Sequence, residues 1–139
     1  MDTKFSVAVH TLILISESTG PITSEQMAAS VGTNASYIRK ILSLLKKAGI
    51  VDGRRGIGGY TLTAAPAQLS LLEIYRAVME GSEIHLIDIH QNPSDGCIVG
   101  HHIKPILNEM FTQMEEAFAR LLAGKTLDDC IAGIRSRIR

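Results

Sequence analysis

The 139-residue chain is 45% hydrophobic and 20% charged, the make-up of one modest globular domain or of a compact domain with an arm. Fourteen basic side chains balance fourteen acidic ones, so the total charge points to no polyanionic partner. No run reaches the roughly 18 apolar residues of a membrane span, and two cysteines, Cys97 and Cys130, are too few for a disulfide framework.

The first helix is predicted from about Thr3 to Ser18, with Phe5, Ala8, Val9, Leu12 and Ile15 at helical spacing. This apolar start is not a signal peptide: it has no A-x-A cleavage site, and His10 and Thr11 interrupt it. It reads as a core helix of a cytoplasmic protein, with His10 a core or interface histidine. Gly20-Pro21 closes it, and Thr23-Ser-Glu-Gln26 has the spacing of a capping box that opens a second helix, Ser24 to Val31. Gly32 breaks that helix, and Asn34 is a good N-cap for a third, Ala35 to Ala48, and a candidate DNA contact at its start. The connection is about three residues long, as a helix-turn-helix requires.

In the third helix Ile38, Ile41, Leu42 and Leu45 form one apolar stripe that must face a core. Off the stripe lie Ser36, Tyr37, Arg39, Lys40, Ser43, Lys46 and Lys47, a basic face rich in hydrogen-bond donors. Gly49 suits a left-handed C-cap. Ile50-Val51, a turn region from Asp52 to Gly59, and Tyr60-Thr61-Leu62 then read as a two-stranded wing with Arg54 and Arg55 near its tip. Between residues 38 and 55 six cations, Arg39, Lys40, Lys46, Lys47, Arg54 and Arg55, face Asp52 alone. That local footprint, on a helix-turn-helix with a wing, is the pattern of a DNA-docking device. A helix face that is merely solvated, or a winged-helix module that binds protein and not DNA, is the plainer alternative.

After a connector with Pro66, Ser70-Leu-Leu-Glu73 opens a fourth helix, Leu71 to Glu80, with Leu71, Ile74, Tyr75 and Val78 inward and Gly81 as its cap. Ser82 to Gly100 is irregular, with a short extended piece over Ile84 to Ile89 and strong turn chemistry at Asn92-Pro93-Ser94-Asp95-Gly96. The longest helical signal follows, on Ile103, Ile106, Leu107, Met110, Met114, Ala117, Phe118 and Leu121. Proline is tolerated in the first turn of a helix, so Pro105 places its start between Gly100 and Lys104. Gly124 ends it, and Thr126-Leu-Asp-Asp129 begins a final helix with Leu127, Cys130, Ile131 and Ile134, closing on a basic tail of Arg135, Arg137 and Arg139. The fold class is mainly α with a small β-wing. The organisation is a winged helix-turn-helix over residues 1–81, a sensor or linker loop over 82–100, and dimerisation helices over 101–139. A long amphipathic helix outside a complete winged helix needs a partner surface, and a second copy of the chain is the expected one.

The motifs Ser36-Tyr37-Ile38, Ile41-Leu42, Lys47-Ala48-Gly49-Ile50-Val51 and Arg55-Gly56 with Gly58-Gly59-Tyr60-Thr61-Leu62 resemble the Rrf family of bacterial transcription regulators. Its branches include the IscR, NsrR and CymR regulators. The likeness extends through Leu71-Leu72-Glu73-Ile74 to Thr126-Leu-Asp-Asp129, and is most specific in the winged helix. It implies a homodimeric repressor on a double-stranded DNA operator, with swapped or crossed long helices. It implies base contacts from Ser36, Tyr37, Arg39 and Lys40 and minor-groove entry by Arg55 and Gly56; the basic footprint itself suggests phosphate anchoring by Lys46, Lys47 and Arg54. Two positions depart from the family: Arg39 stands where the cluster-binding branch often has an acidic base-reading residue, and the wing loop lacks the usual proline.

The cluster-binding members carry three closely spaced cysteines where this chain has Cys97, and Cys130 lies 33 residues on. Too few thiolates are present for an iron–sulfur cluster, so no cofactor is expected, and Asp95 to Gly100 resembles the cluster-free branch, which includes thiol-based sensors. Cys97 sits just before a helix N-terminus with His101 and His102 close by, a setting that favours thiolate. Three readings stand open. Cys97 is a redox switch, with Cys130, the same residue of a second subunit or a small thiol as partner; or it is an unreactive thiol; or His85, His90, Cys97, His101 and His102 serve a metal-responsive regulator, although their spacing fits no common ligand pattern. A nucleophilic enzyme built on Cys97 and a neighbouring histidine lacks an orienting residue and an oxyanion site, so the chain does not read as an enzyme.

Overall fold

The computed structural model describes residues 2–53, 59–81 and 83–138. Its centre is the stripe of the third helix, α3 (Ala35–Lys47), whose Ile38, Ile41, Leu42 and Leu45 are all but inaccessible to solvent. They pack against α1 (Lys4–Glu17), α2 (Ser24–Val31) and α4 (Leu71–Met79). Leu12 of α1, Met27 of α2, and Ile74 and Val78 of α4 complete one core. Thr11 is fully buried there, and its hydroxyl has no hydrogen-bond partner.

Local chemistry sets the ends of these helices. In α2 the capping box closes both ways: the Gln26 amide N–H donates to Thr23 Oγ1 at 3.1 Å, and the Thr23 N–H donates to Gln26 Oε1 at 2.9 Å. Gly32 ends the helix at φ 87°, a left-handed conformation that glycine adopts without steric cost. Asn34 Oδ1 accepts the Tyr37 N–H at 2.8 Å and starts α3. At the other end of α3 the Ile50 N–H reaches the Leu45 carbonyl and the Gly49 N–H that of Lys46, both at 3.0 Å, with Gly49 left-handed at φ 79°. That is a Schellman closure, and it turns the chain into β1 (Val51–Gly53). β1 pairs antiparallel with β2 (Tyr60–Leu62), Val51 opposite Leu62 and Gly53 opposite Tyr60.

The fourth helix departs from expectation at its end. The left-handed residue is Glu80, at φ 50°, and not Gly81. No strand forms over Ile84 to Ile89. The larger correction concerns the long helix. α5 runs Ile98–Ala123, so it starts ahead of the predicted window and Pro105 sits well inside it. Proline there removes the hydrogen bond to the carbonyl four residues back, that of His101. Both residues are exposed, so water can take the place of the missing donor.

α6 (Leu127–Ile138) turns back against the winged helix and begins with a reciprocal cap between Thr126 and Asp129. A short stitch joins its start to that of α4: Leu71 N–H donates to the Lys125 carbonyl and Leu127 N–H to the Leu69 carbonyl, both at 2.9 Å. Arg135 of α6 grips Glu17 of α1 with both arms, at 3.0 and 2.9 Å. Tyr75 of α4 stands edge-on between Phe5 of α1 and Phe118 of α5, with ring centroids at 5.4 and 6.2 Å.

Two apolar surfaces remain uncovered. On α5 only Leu122 is buried, whereas Val99, Ile106, Met110, Met114 and Leu121 are exposed. Between α1 and α6 lies an open groove of about 860 Å³, lined by Phe5, Val9, Ile13, Ile22, Ile134 and Ile138 among others.

Candidate nucleic-acid interface

The burial of one side of α3 decides what its other side offers. With Ile38, Ile41, Leu42 and Leu45 in the core, Ser36, Arg39, Lys40, Ser43, Lys46 and Lys47 are exposed. They recur at helical spacing, so one solvent-facing strip carries four cations and two hydroxyls. Tyr37 differs from them: it is half-buried and its ring packs against the core. Asn34 is also partly committed, because its Oδ1 is taken by the α3 cap. The arginines and glycine of the wing tip, Arg54, Arg55 and Gly56, lie outside the described residues.

Sequence reasoning missed Glu25. It stands in the first turn of α2, and its Oε1 lies 3.5 Å from Arg39 Nη1. The clue in the sequence is an acidic residue just after an N-cap, but only tertiary packing brings it to α3.

The cysteines stand at opposite ends of α5, and neither is in a disulfide. Cys97 is the N-cap of α5 and is exposed. Its Sγ faces the N–H groups of Gly100 and Val99 without closing a cap hydrogen bond, and their pull, Gly100 first, lowers its pKa below the usual thiol value. Cys130, on α6, is pushed up, mainly by burial and then by the nearby Asp129. The 26 residues of α5 span about 39 Å at 1.5 Å each, far beyond the ~7 Å between Cα atoms that a disulfide tolerates. Cys130 is therefore not placed to pair with Cys97 of its own chain. Gly100 has its own constraint: a Cβ there would collide with the Ser94 backbone carbonyl, so only glycine fits this close crossing.

The histidines do not gather with Cys97 around one point. His85 Nε2 meets Asp88 Oδ1 at 2.5 Å, and its Nδ1 lies 3.7 Å from Glu115 of α5. The hydrogen bond to Asp88 raises the His85 pKa, burial opposes it, and the charges of Asp88 and Glu115 add to the rise. The Leu86 N–H also donates to Glu115, and Lys104 Nζ donates to the Gln91 carbonyl at 2.5 Å. These contacts fasten residues 85–91 along α5. His101 lies against His102 edge-to-face and 3.8 Å from Asp95. Among the described residues no three His, Cys, Asp or Glu side chains converge on a metal position. His10 bonds Ser30 Oγ through Nε2 at 3.0 Å and lines the groove, a link between α1 and α2.

A helix-turn-helix with a short wing and a donor-rich basic strip on the second helix define a class: a winged-helix transcription regulator. The chain matches, over residues 1–133, the family model described as Rrf2, iron-dependent transcriptional regulator, and it belongs to that family. It is 43% identical over 131 residues to YwnA of Bacillus subtilis, named as an HTH-type transcriptional regulator, covering 93% of this chain and 95% of that protein. A crystal structure described as that of a DNA-binding protein is 39% identical, with a TM-score of 0.74, over 92% of this chain and 98% of its own. The fold is also that of CymR (YrzC), the global cysteine regulator of B. subtilis, at 21% identity and a TM-score of 0.69 over 95% of each chain. Although the family is described as iron-dependent, the cysteines here do not suit an iron–sulfur cluster. Its segment offers Cys97 alone, and α5 separates that thiol from Cys130. Among the described residues, no helix is long and apolar enough to cross a membrane.

Proposed function

We propose that the protein is a cytoplasmic homodimeric repressor that reads a double-stranded operator through α3 and is gated by oxidation of Cys97. The exposed strip on α3 carries this reading. Ser36, Arg39 and Lys40, with the accessible edge of Tyr37, face the major groove and read bases. Lys46, Lys47 and Arg54 anchor phosphates, Arg55 and Gly56 enter the minor groove, and Asn34 positions the start of the helix. Arginine at position 39 suits the O6 and N7 acceptors of guanine.

The two uncovered apolar surfaces support the dimer. A two-fold axis lets each chain offer its α5 stripe to the other, and the α1–α6 groove is a second apolar surface that the pairing can cover. It also presents two α3 helices to half-sites about one turn apart, roughly 34–36 Å. The low-pKa, exposed thiol at the start of α5 supports the gate. Its thiolate attacks one oxygen of a peroxide, the O–O bond breaks, and a sulfenic acid and water result once a proton is taken up. A second thiol, from a small-molecule pool or from Cys97 of a second subunit, then condenses with it to a disulfide and releases a second water.

Mobility-shift binding to fragments of the protein's own promoter tests this reading, reduced and peroxide-treated, with Cys97→Ser alongside. The expected result is salt-sensitive reduced binding that peroxide abolishes in the wild type and spares in Cys97→Ser. Binding that ignores peroxide in both proteins removes the gate and keeps the DNA reading. Absence of binding to any duplex at low salt overturns both and favours a winged-helix module that binds protein.

A further inference from the structure

An acidic group, Glu25, stands beside the cations of the proposed reading surface. Glu25 occupies the second helical position of α2, where the positive end of the helix dipole favours a carboxylate. Its side chain is 72% exposed and that of Arg39 is 55% exposed, and their contact is a single arm at 3.5 Å. An ion pair this exposed contributes little to the stability of a fold. Yet the carboxylate stands on the helix that crosses the DNA backbone in a helix-turn-helix, where phosphates repel it. Beyond the helix dipole, its one cationic neighbour among the described residues is Arg39.

We propose that Glu25 is a positioning and specificity-determining residue that braces the Arg39 guanidinium for one guanine of the operator, an inference that rests on the base-reading role of Arg39. An unbraced arginine has many rotamers and can satisfy itself on any phosphate, which gives affinity without discrimination. Engaging Glu25 through one Nη leaves the other donors of the planar fork for the paired O6 and N7 acceptors of guanine. Docking excludes water from this edge of the interface, and the lower local dielectric strengthens the brace. The same carboxylate penalises registers in which Arg39 leaves it for the backbone, because Glu25 then faces phosphates alone. Glu25 thus costs general affinity and adds selectivity, as devices against wrong partners do.

Selection of random duplexes by the full-length wild type, Glu25→Gln and Arg39→Ala, followed by affinity measurements on single-position variants of the enriched site, tests the proposal. The wild type is expected to prefer guanine at one position of each half-site by about tenfold or more. Glu25→Gln should reduce that preference to about threefold or less, at the position that Arg39→Ala also loosens, while its affinity for unrelated duplex rises several-fold. Glu25→Asp should restore part of the preference. Full discrimination in Glu25→Gln, loosening at a different position, or a uniform loss at every position in step with lower thermal stability overturns the proposal. No enriched motif from the wild type would instead sink the DNA reading and this inference with it.

Discussion

In α3 the stripe of Ile38, Ile41, Leu42 and Leu45 is closed over by α1, α2 and α4, and none of the four exceeds 1% exposure. In α5 a stripe of the same period leaves Met110 at 51% and Met114 at 55% exposure, and only Leu122 is buried. Periodicity alone says that both helices have an apolar face. What separates them is neighbours: α3 finds its partners within about 30 residues of chain on either side, whereas α5 passes beyond the winged helix and rests chiefly on α4 and the fastened segment 85–91. One stripe holds a fold together, and the other is surface that a second molecule can use.

The sharpest break in that comparison is a pair of substitutions. Ile41→Ala removes buried methyl groups from the centre of the core and should cost about 2–5 kcal/mol, read as a lower midpoint in urea unfolding. Met114→Glu should leave the folded winged helix intact in circular dichroism. In the dimer it would bury a charge, and dimer affinity should fall by roughly a hundredfold or more, read by light scattering across a dilution series. Equal loss of helix content in both variants would erase the distinction.

A smaller effect sharpens the α5 side. The His85 pKa in the folded chain lies above its ordinary value of 6.5, chiefly through its hydrogen bond to Asp88. The imidazolium therefore favours the fastened segment fully below pH 6.5, and that contribution is lost as pH rises through the folded value. Hydrogen exchange at Leu86, corrected for intrinsic rate, should show more protection at pH 6 than at pH 8, and Asp88→Asn should flatten the difference. Equal protection at both pH values would deny His85 any part in the fastening.

Much of the winged helix was legible because its signals are local. Thr23, Gln26, Gly32 and Asn34 act through backbone groups no more than four residues away, and the α3 stripe states its own burial. The family likeness rests on motifs from Ser36 to Leu62, and the match over residues 1–133 shows the family. The sequence reading failed where a local rule met a larger context. A proline usually marks a first turn, but Pro105 is carried by an exposed helix whose freed carbonyl stays wet. Gly81 was the obvious cap, yet Glu80 takes the left-handed position. At the candidate site the exposed cations were readable from the stripe they avoid. The contact of Glu25 with Arg39 was not, because it joins two helices whose relative angle no local pattern reports. The same holds for the distance between Cys97 and Cys130, which depends on how far α5 carries the chain before α6 turns back.

The stitch between Leu69-Ser70-Leu71 and Lys125-Thr126-Leu127 fixes one end of α5 to the winged helix. In geometric terms the stitch is a pivot, with α5 as an arm extending from it. A tilt of about 5° at this pivot sweeps the far tip of a helix roughly 39 Å long through about 3 Å. The tip carries Cys97, so a change there has a long arm about the stitch, which meets the chain at the start of α4, a helix packed against α3.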